Sequence, residues 1–361
     1  MNTLQEAREI INAVDVQIAE LFVRRMRAVE SIYAYKKEYG LPILDPRREE
    51  EVIAANAELI EDDTLRGYYV SCLKHLMAAS RAYQYRLQNG LKVAYSGVEG
   101  AFAHIAAGKI FPESTRLPYR DFQEAYDSVV TGESDVAVLP IENSYAGEVG
   151  QTIDCIFDGG LYINGIYELK VCQHLLGVPG ATLDDITAVT SHPQALAQCH
   201  SYIELKGFET EEVSNTAAAA KMVAQRNELS LAAIASAETA DMYGLAVLDR
   251  NINKSGENTT RFAVLSPVRA SASAMASSVL MFTVKHEVGS LAQAITIISA
   301  HGYNMTALRS RPLKKGSWQY YFYIEIDGRI DTDNGEQMIA EMKKVCDTFK
   351  VAGSFAPHAE I

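Results

Sequence analysis

Several polar side chains stand where a helix should be apolar. Leu4, Ala7, Ile11, Val14, Ile18 and Leu21 recur at spacings of three and four, which predicts a helix with one apolar stripe. Continuing the stripe reaches Arg25 before Ala28, Ile32 and Tyr35. Lys36 lies nearly three turns beyond Arg25 and shares its face, and Arg8 sits at the edge. Asp45-Pro46 reads as an N-cap with proline at the first helical position. That second helix carries Arg48 and Glu49 on the side of Val52 and Leu59. A third helix places Ser80 and Gln84 in the stripe of Leu73, Met77 and Leu87. Burying such groups is costly unless something satisfies them. Asp45 and Glu49 can pair with some of the cations, but Arg8, Arg25, Lys36 and Arg48 outnumber them. A bound dianion is the best missing partner, because arginine forks hold carboxylates. Lys36 and Gln84 could donate to an ether oxygen that gains negative charge. With no obvious nucleophile in the set, the chemistry fits a rearrangement driven by positioning and electrostatics.

A second group follows the ends of predicted strands, where open α/β sheets bind ligands. Glu142, Asn143 and Ser144 follow the apolar run from Val136 to Leu139. Ser191, His192, Pro193 and Gln194 follow Ala188-Val189-Thr190 and open a helix carrying Gln198. Ser214, Asn215 and Thr216 cap an alanine-rich helix, whose free N–H groups suit a carboxylate. Asn258-Thr259-Thr260-Arg261-Phe262 leads into the strand Ala263-Val264-Leu265. Taken singly, each has an ordinary explanation: a cap, a turn before Pro193, a turn composition at Glu142-Asn143-Ser144. Gly97 and Gly100 lack the spacing of a dinucleotide or P-loop fingerprint.

The elements that must position these groups fall into three rhythms. The stretch from Leu4 to Arg86 reads as helix. Leu91 to about Pro267 alternates short strands with helices, an α/β pattern. Ala270 to Ser277 is a small-residue stretch that reads as a linker. Ser278 onward reads strand, helix, strand, strand, helix, strand, a ferredoxin-like α+β order. The chain of 361 residues is too long for one ordinary core. Its net charge of −13 argues against a nucleic-acid or anionic-membrane binder, though not against a small acidic substrate. The opening residues show no basic region followed by an apolar run, and no stretch reaches the length of a membrane span. Cys72, Cys155, Cys172, Cys199 and Cys346 are odd in number and widely spaced. They are expected to be reduced, in a cytoplasmic protein with no metal site and no cofactor.

Residues Leu4 to Arg86 resemble the all-helical class of chorismate mutase. The resemblance implies that Arg8, Arg25 and Arg48 bind the chorismate carboxylates. Lys36 and Gln84 flank its ether oxygen, and Asp45, Glu49 and Ser80 contact its hydroxyl or support those contacts. It also implies a homodimer, with the residue matching Arg8 supplied by the partner. Residues Lys92 to Pro267 resemble prephenate dehydratase through Thr260-Arg261-Phe262, Pro140-Ile141-Glu142-Asn143-Ser144, Ser191-His192-Pro193-Gln194 and Tyr243-Gly244-Leu245. That family folds as two α/β lobes around a cleft, in the manner of a periplasmic binding protein. The resemblance implies that Thr260 assists departure of the ring hydroxyl as CO2 leaves, and that Arg261 and helix N-termini hold carboxylates. Glu142, Asn143, Ser144, Ser191, Gln198, Asn215 and Thr216 would complete the prephenate site. One loop departs from the family: Ala101 and Ala103 stand where hydroxyl residues are usual.

Ser278 to Phe355 resembles an ACT domain, a module that binds amino acids. Gly289, Ser290 and Leu291 resemble its ligand loop. Ser310, Arg311 and Pro312 resemble its phenylalanine motif, with Arg309 in place of the usual Glu. The expected organisation is therefore residues 1–88, 91–268 and 278–357. The expected function is conversion of chorismate through prephenate to phenylpyruvate, regulated by L-phenylalanine. Two alternatives stand beside it: an arogenate-using dehydratase, and a non-catalytic small-molecule sensor with a dimerising helical segment.

Overall fold

The computed structural model describes residues 3–253, 258–269, 277–313, 319–356 and 359–361. Most of the predicted linker, 270–276, lies outside them. The chain divides into two compact units, Met1–Leu91 and Lys92–Ile361.

The first unit is three helices, α1 (Leu4–Glu38), α2 (Pro46–Ala57) and α3 (Asp63–Asn89). Each begins at a capping side chain. Thr3 and Glu6 form a reciprocal box on α1, Asp45 accepts from the Arg48 backbone N–H on α2, and Asp62 caps α3. The buried stripe of α3 is Leu73, Met77, Ser80 and Gln84. In α1, by contrast, Leu4, Ile11, Val14, Ile18 and Leu21 are exposed, and burial is reached only at Val29. The predicted apolar face is real, but elements of its own chain cover it only toward its C-terminal end.

The second unit begins with β1 (Lys92–Ser96), α4 (Phe102–Ile110), β2 (Thr115–Tyr119), α5 (Phe122–Val130), β3 (Val136–Asn143), β4 (Gly147–Glu148), α6 (Gly150–Asp158) and β5 (Tyr162–Lys170). The chain then crosses to a second lobe: β6 (His174–Gly177), β7 (Ala188–Ser191), α7 (Pro193–Gln198), α8 (His200–Lys206), β8 (Glu209–Glu212), α9 (Thr216–Arg226), β9 (Leu231–Ala235), α10 (Ala237–Tyr243) and β10 (Ala246–Asp249). It returns through β11 (Thr259–Ser266), which inserts antiparallel between β3 and β5. The lobe sheets run β5-β11-β3-β1-β2 and β10-β6-β9-β7-β8. Continuous apolar runs form the central strands, because helices or neighbouring sheets cover both faces.

The C-terminal segment is β12 (Ser277–Val284), α11 (Ser290–Ala300), β13 (Asn304–Pro312), β14 (Tyr320–Asp327), α12 (Asp333–Val345) and β15 (Cys346–Phe355), followed by β16 (Ala359–Glu360). Its order β13-β14-β12-β15 is that of a ferredoxin-like βαββαβ fold. It is not, however, separated from the lobe before it. β15 meets β5 in parallel at Gly353 and Ile163, so one sheet runs through both. A Cβ on Gly353 would lie 2.0 Å from the Ile163 carbonyl oxygen, so only glycine permits this approach. Val279, Met281, Tyr323 and Phe355 join the core of Leu139, Ile163 and Leu265. α6 lies against the C-terminal sheet, with Phe157 stacked on Tyr321 at 4.1 Å. The Lys350 ammonium donates to the carbonyls of Ile156 (2.6 Å) and Gly159 (2.5 Å), satisfying the end of that helix. The segments 91–268 and 278–357, expected as two domains, share this sheet within the compact unit Lys92–Ile361. Among the described residues no helix is long and apolar enough to cross a membrane.

Candidate active sites

In the helical unit, α1 and α3 bring Arg25, Ser80 and Gln84 together. The Arg25 guanidinium donates to Ser80 Oγ and to the Leu76 carbonyl at 3.2 Å. Ser80 and Gln84 are 5% and 6% exposed. Gln84 Oε1 has no hydrogen-bond partner among the described residues, and Nε2 reaches the Ser80 carbonyl at 3.4 Å. An unsatisfied buried amide oxygen costs about 1–3 kcal/mol, which marks a place where a ligand can contribute. Lys36 Nζ donates to the Ile43 carbonyl at 2.5 Å, on the loop before α2. Asp45 serves as a cap, and Glu49 is taken by Arg81, a cation that the stripe argument passed over because it follows Ser80 directly on α3. Arg48 faces outward toward Glu51 at 3.4 Å. Arg8 is exposed, and helical rise puts it roughly 25 Å along α1 from Arg25. One chain therefore does not gather Arg8 and Arg48 beside Arg25.

The second site is a cleft of about 510 Å³ between the two lobes, lined by strand ends and the crossing segments. Asn143, Gln198, Asn215, Thr216 and Thr260 all line it. Thr260, at the start of β11, pairs with Asn143 at the end of β3. Asn143 Oδ1 accepts from the backbone N–H groups of Tyr145 (3.0 Å) and Ala146 (2.8 Å). These two donors set the amide so that Nδ2 donates to Thr260 Oγ1 at 3.0 Å and Asn258 Oδ1 at 2.8 Å. Asn258 in turn donates to Gln198 Oε1 at 3.1 Å. Since Thr260 Oγ1 receives a hydrogen bond from Asn143, its own hydrogen is left for the cleft.

Four of the expected residues do not line the cleft. Side chains alternate along a strand, so if Thr260 and Asn143 face the cleft, Arg261 and Glu142 must face away. Arg261 donates to Glu142 at 2.9 Å and to both oxygens of Glu325, at 3.1 and 2.8 Å. Burial opposes its charge, but Glu325 more than offsets this and holds its pKa above the usual value. Burial likewise pushes Glu142 up, while Arg309 and Arg261 together bring it below the ordinary carboxylate range. In this structure Arg261, expected to hold a substrate carboxylate, is instead placed as a buried ion-pair partner of Glu142 and Glu325. Ser191 Oγ donates to the Ile234 carbonyl at 2.6 Å, tying β7 to β9. Ser144 Oγ accepts from the Thr259 N–H at 3.0 Å in the turn.

The cleft also holds groups that strand-end reasoning did not single out. Arg120 lines it, just after β2, and the same rule applied to that strand finds it. Gln173 lines it on the crossing segment, with Oε1 unpartnered among the described residues. Asn258 is 2% exposed and links Asn143 to Gln198; its place in a quoted motif gave no sign of that bridging role. Ala101 and Ala103 line the cleft and bring no hydroxyl to it. Their loop is set by Gly100 at φ 88°, where a Cβ would come within 3.1 Å of Ala217 on the other lobe. The Thr239 hydroxyl donates to the Gly100 carbonyl and that of Tyr243 to the Glu99 carbonyl, both at 3.3 Å. The Tyr243 motif therefore joins the lobes behind the cleft.

In the C-terminal segment the expected effector residues do not converge. Leu291 lines a cavity of about 360 Å³ beside Val284 and Phe322, and Gly289 and Ser290 begin the adjoining helix α11. Ser310 and Pro312 are exposed on β13. Arg311 points to the lobe instead, pairing with Glu148 and with Asp154 at 2.9 Å.

Comparison with known proteins gives two matches along the chain: chorismate mutase type II over residues 7–85 and prephenate dehydratase over 93–270. The bifunctional chorismate mutase/prephenate dehydratase of Aquifex aeolicus is 31% identical, over 98% of this chain and 98% of that one. The arogenate dehydratase/prephenate dehydratase 2 of Arabidopsis thaliana is 32% identical, over 73% of this chain and 72% of that one. The crystal structure of prephenate dehydratase from Arthrobacter aurescens in complex with L-Phe has a TM-score of 0.68 and 26% identity. It covers 74% of this chain and 90% of that one.

Proposed function

This chain belongs to the bifunctional chorismate mutase/prephenate dehydratase family and has both activities; on that footing we propose how its residues divide the work. Arg25, Ser80 and Gln84 form the inner wall of the mutase site, with Lys36 donating to the ether oxygen as charge develops there. Arg8 then belongs to the site of a second copy, since its own Arg25 is too far away. The uncovered apolar stripe of α1 is the surface on which that copy would pack. Arg48, exposed on α2, would turn inward only with chorismate bound.

In the cleft, Thr260 donates its proton to the ring hydroxyl of prephenate. As the bond from the ring to its carboxylate breaks, that electron pair enters the ring and CO2 departs. The carbon–oxygen bond to the hydroxyl breaks with its electron pair going to oxygen, the hydroxyl leaves as water with the donated proton, and the Thr260 oxygen takes up a replacement proton from solvent. A threonine is intrinsically a weak acid, and the reaction tolerates it because an aromatic ring forms. Arg120, which would exchange its exposed pairs with Asp121 and Glu124 for substrate, and the N–H groups at Thr216 are the groups proposed to take the two carboxylates. The observation carrying this reading is the Asn143 hydrogen bond that leaves the Thr260 proton directed at the cleft. Thr260→Ala should abolish phenylpyruvate formation and spare chorismate turnover, and Arg25→Ala should do the reverse. Either change silencing both activities in folded protein would overturn the division.

Arogenate carries an ammonium where prephenate carries a ketone. The Arabidopsis relative supports testing it as a second substrate, with relative kcat/KM deciding. The βαββαβ segment is read as an ACT module that binds L-phenylalanine at Gly289, Ser290 and Leu291, which the L-Phe complex of the Arthrobacter relative supports. Ser310 and Pro312 are exposed on β13 and do not line that cavity, and Arg311 is paired with Glu148 and Asp154. Titration calorimetry should detect bound phenylalanine, and no heat at millimolar ligand would remove this part. The odd number and wide spacing of the five cysteines suit a cytoplasmic location.

A further inference from the structure

We infer that Arg309 is a positioning residue for the dehydratase reaction: it reaches from β13 to hold Glu142 and Glu325 around Arg261, and so fixes the register that presents Asn143 to Thr260. The inference rests on Thr260 being the catalytic group of the cleft. Two consecutive cross-strand pairs join β3 to β11, Asn143 with Thr260 and Glu142 with Arg261. The first faces the cleft and the second faces the C-terminal sheet. Immediately beyond them the register shifts, and Phe262 is opposite Pro140. Proline has no N–H to give to the ladder. The β3–β11 ladder is thus interrupted next to the reacting pair, although β5 keeps register with β11 from Thr259 to Val264 and β4 pairs with Glu142 and Asn143, and the side chains behind the break reinforce it.

Those side chains form a cluster, at whose edge Glu168 on β5 lies 3.9 Å from Arg261 Nε. Arg309 Nη2 lies 2.6 Å from Glu142 Oε2, and Nη1 lies 3.7 Å from Glu325 Oε1. Arg261 bridges the same two carboxylates. The Tyr323 hydroxyl donates to Glu325 at 2.7 Å, and the Arg309 guanidinium lies 5.2 Å from the centre of that ring. Glu325 is only 2% exposed. With both arginines, two cations face Glu142 and Glu325. Without Arg309, both carboxylates would depend on Arg261, leaving a buried charge poorly compensated. Glu142 would then lose one of its two arginine partners, and the end of β3 that carries Asn143 would be less firmly held. Position 309 thus serves the neighbouring active site, in a motif whose resemblance points to effector binding.

The test uses the full chain. Arg309→Met should lower dehydratase kcat about 10- to 100-fold, the scale expected of a reacting group displaced by about an ångström. KM for prephenate should hold, and chorismate turnover should be unchanged. Arg309→Lys, which keeps the charge and loses the fork, should recover part of kcat. Adding Glu142→Gln to Arg309→Met should cost less than the sum of the two single losses, because the two residues share one contact while Glu142 also holds Arg261. Unchanged kcat in folded Arg309→Met, a rise confined to KM, or additive losses would each overturn the inference. If Arg309→Met does not fold, Arg309→Lys decides: reduced kcat at constant KM supports it, and full kcat overturns it. Thr260→Ala is assayed in parallel, because turnover surviving there removes the underlying reading, a result distinguishable from the others.

Discussion

Asn143 decides what Thr260 can do. Its carbonyl is held by two backbone N–H groups, so its amide must donate, and the threonine hydroxyl has only its own proton left to give. A second polar group near the cleft is set with equal clarity. His104 Nδ1 accepts from the Gly100 N–H at 3.1 Å, which requires a ring nitrogen without a proton. Burial, then the charge of Arg116, lowers the His104 pKa; burial, then Arg250, does the same at His174, where Nδ1 accepts from Asn251 at 3.1 Å. A histidine with a depressed folded pKa binds its proton more readily when unfolded. Its contribution to stability is therefore complete above the unfolded value of about 6.5 and declines as pH falls below it. Urea unfolding should show stability falling with pH in that window, and His104→Asn should flatten the decline. An equal slope in that variant would contradict the assignment.

At the scale of elements, what could be read in the sequence depended on whether geometry was local. Asn143 and Thr260 stand at strand ends and Gln198 at the close of α7, positions a sequence can suggest because a strand ending in polar groups points to its own rim. Arg261 and Glu142 lie on the other face for a reason the sequence also contains: a strand turns successive side chains to opposite faces. The α1 stripe was legible as apolar, but its burial is not a local property; a helix of 35 residues outruns the partners of its own chain. The fusion of β15 to β5 was invisible for a different reason. It depends on a missing side chain at Gly353 meeting one carbonyl of a strand far away in sequence.

At the scale of the molecule, one chain leaves Arg8 roughly 25 Å along α1 from Arg25. If Arg8 serves a second copy, mixed chains of Arg8→Ala and Arg25→Ala should regain chorismate turnover. Random pairing leaves one native site in each mixed dimer, giving up to roughly one quarter of the native rate. No recovery on mixing would place Arg8 outside the site. The central claim is that prephenate is dehydrated in the cleft by the hydroxyl of Thr260. Crystals of Thr260→Ala soaked in prephenate test it most directly. They should show intact substrate between the lobes, its ring hydroxyl beside residue 260 and its carboxylates toward Arg120 and Thr216. Density for phenylpyruvate, or intact substrate bound away from residue 260, would contradict it.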